Sequence, residues 1–235
     1  MKKIFVPLFI VALFSVSCDT LSQVSSAVGQ SAGPVTETQA GHGVREALSN
    51  GIASAIMNLN KENGFFGNQA YKMFLPADAK KMESTLRNIG LGSQVDKAIL
   101  QINRAAEDAV GYAKPIFVHA IQEMTIQDAL GLVSGSPSAA TDYFRQKTRA
   151  QLITAFSPSI KSSLDKVEAT KYYSDLVNTY NKIPTTIKKI NPDLPSYVAE
   201  KATDALFDQI QQEEANIRAN PAARTSEILK KVFGK

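Results

Sequence analysis

The sequence predicts an all-α protein: a single compact domain of about eight to ten helices behind a signal peptide and a flexible tether. The main observation is the stretch Gln94–Glu123, whose apolar residues recur at steps of three or four, which is typical of a helix packed on a core. These residues are Val95, Ile99, Ile102, Ala106, Ala109, Ala113, Phe117 and Ile121. No stretch of the sequence alternates apolar and polar residues for long enough to form a strand.

The first 17 residues have the pattern of a secretory signal. Lys2 and Lys3 form a basic start, the run Ile4–Phe14 is apolar, and short residues fill Ser15–Ser17. This run is too short for a membrane-spanning helix, which needs about 20 residues. Residues 1–17 are therefore predicted to be a signal peptide, which implies that the protein is exported.

Cys18 is the only cysteine, so the sequence excludes a disulfide within the chain and a cysteine-rich metal site. Its place directly after the signal resembles the lipobox of bacterial lipoproteins, although Ser15 stands where leucine is usual. The alternative is a general signal peptide that is cut nearby, with Cys18 incidental. We expect lipidation of Cys18, because two or three acyl chains give lasting attachment to a membrane.

A lipid anchor at Cys18 implies a place on the periplasmic side of a bacterial membrane. Asp19 resembles a signal that retains lipoproteins at the inner membrane in enteric bacteria, but other phyla do not follow that rule. We favour the outer membrane and leave the inner one open. Residues 18–40 are rich in Ser, Gln, Gly and Thr and predict a flexible tether. Residues 41–235 form the domain; a hinge at Gly131–Pro137 between two helical halves is the alternative.

The charge of the chain argues against nucleic acid as a partner. The full chain has 26 basic and 22 acidic residues and a net charge of +4. Removal of residues 1–17 takes two lysines and no acid, which leaves 24 basic residues, 22 acidic residues and a net charge of +2. The sequence contains no basic stretch interleaved with aromatic residues, the pattern typical of a nucleic-acid-binding face.

The first two helices are bounded by glycine and proline. The first is predicted from about His42 and should stop at Asn63–Phe65, with Gly64 in the left-handed conformation. The loop Phe66–Leu75 carries large apolar residues and should pack on the domain. Pro76 suits the start of a second helix, and Gly90 ends it.

Capping residues mark the central helices. Ser93 with Asp96 predicts the start of the long helix, and Thr125 with Asp128 the start of a short one. Between them Pro115 should kink the long helix or begin a new one, because proline cannot donate to the preceding turn.

Prolines also bound the helices of the C-terminal half. The predicted boundaries are a start at Pro137, a break at Ser157–Pro158, a helix over Thr170–Ile183, a long helix from Pro195 to Asn220–Pro221, and a closing helix over Thr225–Phe233.

Signatures of enzymes are absent from the sequence. His42 and His119 have no cysteine or carboxylate at the spacing of a metal site, so we expect no metal, and His119 should be a core residue. Ser163–Lys166 fits the Ser-x-x-Lys pattern but lacks its companion motifs, and no phosphate loop or nucleophile elbow occurs. We therefore expect a protein without a cofactor that is not an enzyme.

Two groups of polar residues within apolar helices are candidates for a site. The first is a polar cluster that would line a pocket between helices: Asn103, Arg104, Glu107, Lys114, Asp128, Asp142, Arg145, Arg218 and Arg224. Its alternative is a structural ion-pair network or a set of solvated faces, since burial of such groups is costly without partners. The second is an aromatic surface of Tyr143, Tyr172, Tyr173 and Tyr180, whose alternative is the edge of the core.

Several short words occur in a characteristic order: Asn103–Glu107 (NRAAE), Ala113–Phe117 (AKPIF), Gln127–Leu130 (QDAL), Ala140–Phe144 (ATDYF), Thr170–Tyr173 (TKYY), Asn220–Arg224 (NPAAR) and Leu229–Gly234 (LKKVFG). This ordered set resembles a bacterial exported family catalogued as domain of unknown function 4197. The resemblance covers about Val44 to the C terminus. It implies an all-helical exported domain and brings no activity, ligand or catalytic residue.

These observations lead to three expectations of function. The first is an envelope lipoprotein whose helical domain binds or scaffolds an envelope partner. The second is a carrier of a lipid or small molecule, or an enzyme, that uses a polar pocket around Arg104 and Glu107. The third is self-association through the helix that Pro195 begins, although the polar end of that helix argues against a long coiled coil.

Overall fold

The computed structural model describes residues 36–76, 79–166, 169–182, 184, 189–190, 193–220 and 230. The predicted signal peptide, Cys18, Arg224 and the predicted closing helix lie outside these residues, apart from Lys230. The side chain of Tyr172 also lies outside them. Thr36–Lys235 forms one compact unit.

Every regular element in the described residues is an α-helix, which confirms the predicted fold class. The helices are α1 (Glu37–Leu59), α2 (Lys80–Asn88), α3 (Gly92–Val110), α4 (Ala113–Glu123), α5 (Ile126–Ser134), α6 (Ala139–Lys166), α7 (Ala169–Asn181) and α8 (Leu194–Ala219).

Helix α3 lies at the centre of the unit and packs on α6, α7 and α8. All eight residues of the predicted apolar stripe are buried. Where α4, α6 and α8 meet, the ring of Phe117 contacts the rings of Phe144 and Phe207 edge-on, with centroids 5.9 and 6.0 Å apart. The central stretch therefore organises the core as the sequence pattern predicted.

The central stretch is two helices, and the break between them precedes the predicted one. Helix α3 ends at Val110, and α4 begins at Ala113, after Gly111 and Tyr112. Pro115 thus lies in the first turn of α4, where its missing N–H has no partner to lose. Close packing explains why a glycine occupies position 111, since a Cβ at Gly111 would lie 3.1 Å from the side-chain amide nitrogen of Asn60.

The first helix differs from its prediction at both ends. It begins at Glu37, before the predicted start near His42, because Thr36 and Gln39 form a capping box. It ends at Leu59, and Asn63 rather than Gly64 takes the left-handed conformation, with φ 65°. Gly64 is needed for another reason: a Cβ there would lie 2.3 Å from the carbonyl oxygen of Leu59.

Other boundaries differ from the prediction as well. Helix α2 begins at Lys80, four residues after the predicted start at Pro76. Ser93 does not cap α3, whose N-cap is Leu91 without a side-chain hydrogen bond, and Asp96 instead accepts from Arg87 at 2.6 Å. Helix α6 continues through Pro158, where the sequence predicted a break. The core offsets the lost hydrogen bond, because Phe156 and Ile160 on either side of the proline are fully buried.

The capping box of α5 is as predicted. The hydroxyl of Thr125 accepts from the backbone N–H of Asp128 at 3.0 Å, and the Asp128 carboxylate accepts from the hydroxyl and backbone N–H of Thr125 at 2.7 and 3.0 Å. These bonds hold the pKa of Asp128 below its usual value, and the bond from the Thr125 hydroxyl has the largest effect.

We expect Thr125→Ala to destabilise the protein by about 1 kcal/mol at pH 7, which is typical of a lost N-cap. The pKa of Asp128 is lower in the folded state than its unfolded value of about 3.9. The stabilisation by the capping box is therefore complete above the unfolded pKa, and it is lost as the pH falls through the folded pKa. Urea unfolding between pH 7 and pH 3 checks this. The control is Thr154→Ala, at an exposed position of α6. The prediction would be refuted if the difference in unfolding free energy between Thr125→Ala and wild type did not narrow below pH 4.

Candidate functional site

The members of the predicted polar cluster that the structure describes do not line one pocket. Asn103, Arg104 and Glu107 lie together on α3, where they hold the connection between α1 and α2. The remaining described members have partners elsewhere in the domain or lie on its surface. The alternative interpretation, a structural network, therefore fits the three α3 residues.

Glu107 is 4% exposed and holds the start of the connection between α1 and α2 against α3. One carboxylate oxygen accepts from the backbone N–H groups of Phe65 and Phe66 at 3.0 and 3.1 Å. The other accepts from the Arg104 guanidinium, one turn earlier on α3, at 2.6 Å. We call Glu107, Arg104 and these two N–H groups the Glu107 staple. Its bonds satisfy a buried charge and two backbone donors at once.

Asn103 fastens the other end of the same connection. Its fully buried side chain accepts from the backbone N–H of Met73 and donates to the Met73 carbonyl, both at 2.8 Å. It also donates to the carbonyl of Ile99 at 2.6 Å. The side-chain amide of Asn103 thus bonds to both backbone groups of Met73, as a neighbouring β-strand would, and holds Met73 against α3.

A second buried carboxylate, Glu214 on α8, holds the N terminus of α6. It accepts from the backbone N–H groups of Ala140 and Thr141 at 3.1 and 2.9 Å and from the Thr141 hydroxyl at 2.8 Å. Arg218 donates to it at 2.7 Å and to the Leu132 carbonyl at 2.7 Å. We call this group the Glu214 staple. The carboxylate satisfies donors that every helix leaves unpaired at its first turn.

The sequence analysis named Arg218 but not Glu214. The one available signal was the spacing of four between Glu214 and Arg218, which is common on exposed helix faces and does not indicate burial.

The other members of the predicted cluster act separately. Asp128 caps α5, and Asp142 accepts from the Ser138 hydroxyl at 2.8 Å. Lys114 is exposed on α4, and the guanidinium carbon of Arg145 lies 4.8 Å from the centre of the Phe207 ring. Since Asp142 bonds to Ser138 while Glu107 belongs to its staple, the structure gives no support to these two carboxylates as an acid–base pair.

The predicted aromatic surface is largely core. Tyr173 and Tyr180 are buried among apolar residues of the domain, and Tyr143 is half-buried with its ring edge-on to Phe144. The prediction for His119 was also wrong, because its side chain is 67% exposed. Helix α4 buries the face that carries Phe117, Ala120 and Ile121, and His119 lies outside that face.

An open cleft lies between the segment Ala70–Leu75 and helices α6 and α8. It has a volume of about 730 Å³ and is lined by Ala70, Tyr71, Lys72, Met73, Phe74, Leu75, Lys80, Arg145, Tyr197, Lys201, Asp204, Ala205 and Asp208. This volume falls within the range of about 300–1,000 Å³ that is usual for ligand pockets. Among these residues, only Arg145 belongs to the polar cluster predicted from the sequence, and the loop Phe66–Leu75 was predicted only to pack on the domain.

The wall of the cleft is held in place at three points. Asn103 fixes Met73, and the Tyr197 hydroxyl donates to the Phe74 carbonyl at 3.0 Å. The Tyr71 hydroxyl donates to Asp208 at 2.6 Å, and burial together with this bond raises the pKa of Tyr71. Asn103 therefore does not line the cleft itself, but it holds Met73, which does, in place.

The cleft carries more positive than negative charge. Lys72, Lys80, Arg145 and Lys201 face only two acids, and within the described part of the chain none of the four forms an ion pair. Both acids already have hydrogen-bonding partners other than these four cations. Asp204 pairs with Arg149 at 3.2 Å, and Asp208 accepts from Tyr71 and from Gln212.

Two kinds of feature are absent from the residues that the structure describes. The described residues contain no group of three or more side chains suited to hold a metal ion. None of their helices is both long enough and apolar enough to cross a membrane.

Comparison with known proteins places the chain in a family. Residues 34–234 match the profile described as "Protein of unknown function (DUF4197)". The chain belongs to this family. The match confirms the resemblance that the ordered words indicated, and the DUF4197 region includes every helix described above. No curated protein and no solved structure matches the chain.

The words that carried the resemblance contain parts of both staples. Asn103–Glu107 supplies the α3 residues that hold the connection after α1, and Ala140–Phe144 supplies the N–H donors of the Glu214 staple. Phe117 and Phe144, which end two of the words, pack on each other in the core. In this DUF4197 domain these stretches therefore build the fold.

Proposed function

We propose that this DUF4197 chain is an exported lipoprotein, anchored through Cys18, whose helical domain binds a ligand or partner at the cleft and catalyses no reaction. One contrast carries the proposal. The buried polar groups that chemistry would need are engaged in the two staples. By contrast, the basic groups that line the open cleft form no ion pair with any acid that the structure describes. A site of this kind is suited to binding.

The proposed location follows from the sequence alone. The signal-like residues 1–17 and the lone Cys18 after them support export and attachment by lipid. We place the domain on the periplasmic side of a bacterial membrane, the outer one in preference to the inner. An envelope protein remains a possible partner in addition to the membrane itself.

We do not propose the carrier or enzyme built on Arg104 and Glu107. That function required Arg104, Glu107, Asp128 and Asp142 to meet in an open cavity. Glu107 instead accepts from Arg104 and from the backbone N–H groups of Phe65 and Phe66. Asp128 belongs to the capping box of α5, and Asp142 accepts from the Ser138 hydroxyl.

The anchor is tested by growing cells with a fatty acid that carries an alkyne tag. We expect the wild type to take up the tag and to partition with membranes, and Cys18→Ala to lose the tag and its attachment by lipid. The control is Ser26→Ala, in the same tether, which should behave as the wild type. A wild type without tag, or a Cys18→Ala variant that is tagged equally, would contradict the lipid anchor.

A further inference from the structure

We propose that the cleft between Ala70–Leu75 and α8 binds a phosphate ester, with the dianionic phosphate near Lys80, Arg145 and Lys201 and the organic part against Phe74. This inference rests on the proposed binding function and names its ligand class.

The shape of the cleft suits a small molecule. Its volume of about 730 Å³ is that of a ligand pocket, and its wall is fixed before any ligand arrives by Asn103, Tyr197 and Tyr71. A fixed wall lowers the cost of binding, because no loop has to become ordered.

The charge in the cleft indicates an anion. Lys80 and Lys201 are exposed on two separate elements, α2 and α8, and Arg145 adds a third charge from α6. Since Asp204 and Asp208 already have partners, neither has to be displaced from these cations for a ligand to bind. Three cations from three helices around one concave surface suit a group with more than one negative charge.

Phosphate fits this set better than a single carboxylate. The guanidinium of Arg145 lies over the Phe207 ring at 4.8 Å, which restrains its plane, and a planar guanidinium binds two phosphate oxygens in parallel. The two lysines add point charges that accept any phosphate orientation. An ester rather than the free ion is favoured by Phe74, which is 53% exposed and lines the same cleft.

A phosphate ester can come from two sources, a soluble metabolite or a lipid headgroup. Both present the same dianionic group beside an organic part. They differ in the size of that part, so two probes separate them: phenyl phosphate and a short-chain phosphatidic acid (dihexanoyl) used below the concentration at which it forms micelles.

The experiment is calorimetric titration of the full chain in a non-ionic detergent. We expect at least one of the two probes to bind, phenol not to bind, and affinity to fall as salt is raised. Lys80→Gln/Lys201→Gln should weaken binding about tenfold for each lost charge. The control Lys114→Gln/Lys166→Gln removes the same charge from exposed sites outside the cleft and should leave affinity within about twofold of wild type.

Each result is decisive for the ligand class. Binding of phenyl phosphate that depends on the two cleft lysines supports a soluble ester, and binding of phosphatidic acid alone with the same dependence supports a lipid headgroup. Binding of neither probe at millimolar concentration, or equal losses in both double variants, overturns the inference. The fatty-acid tag on Cys18 is read separately, so a failed ligand class is distinguishable from a failed lipoprotein assignment.

Discussion

Replacement of Glu107 by alanine should destabilise the protein by about 3–5 kcal/mol, since it removes one partner of a buried ion pair. The change leaves the N–H groups of Phe65 and Phe66 without an acceptor and Arg104 without its inward partner. Each orphaned buried donor costs roughly 1–3 kcal/mol. Urea unfolding followed by circular dichroism measures the loss as a lower midpoint.

Two variants separate the Glu107 staple from general effects of charge. Glu107→Gln retains an oxygen that can accept from Phe65 and Phe66, so it should cost clearly less than alanine. Glu62→Ala removes the exposed partner of Arg104, which lies 3.1 Å away, and should change stability by less than about 0.5 kcal/mol. If all three variants were equally stable, Glu107 would not act as a staple.

Replacement of Glu214 by alanine should have an effect of similar size, about 3–5 kcal/mol. The variant uncaps the buried start of α6, because Ala140, Thr141 and the Thr141 hydroxyl lose their shared acceptor. It also removes the carboxylate acceptor of Arg218, while the bonds of Arg218 to the carbonyls of Leu132 and Val133 do not depend on Glu214. The same urea unfolding measurement applies.

The matched control for Glu214 is Glu200→Ala on the same helix. Glu200 is exposed, so its loss should change the unfolding free energy by less than about 0.5 kcal/mol. Glu214→Gln tests the role of charge, since the amide oxygen can still accept from α6. A Glu214→Ala variant as stable as Glu200→Ala would mean that solvent replaces the carboxylate at no cost, contrary to its burial.

Periodicity was sufficient to predict the fold class and the central core. The stripe from Val95 to Ile121 is buried throughout because a spacing of three or four residues determines the face of a helix. Local chemistry was less reliable at helix boundaries. Thr125 caps as predicted, whereas Pro158 lies within a helix because packing on both sides of it outweighs one lost hydrogen bond.

The site was predicted only in part. Asn103 and Glu107 were recognised as polar residues in an apolar helix, and an inward orientation was one of the alternatives. Their partners Met73 and Phe65 lie 30 and 42 positions away and use backbone atoms, which no residue type reveals. For the same reason Glu214 and the cleft were not predicted: both depend on long-range packing of α8.

The most direct test of the central claim, that the buried polar groups serve as staples and hold the cleft wall in place, is amide hydrogen exchange by NMR. The amides of Phe65, Phe66, Met73, Ala140 and Thr141 all donate to side chains of the staples or of Asn103. We predict that they exchange as slowly as core amides of α3, and that Glu107→Gln or Glu107→Ala accelerates Phe65 and Phe66 more than Ala140 and Thr141. Fast exchange of Phe65, Phe66 and Met73 in the wild type, as in an exposed loop, would contradict the claim.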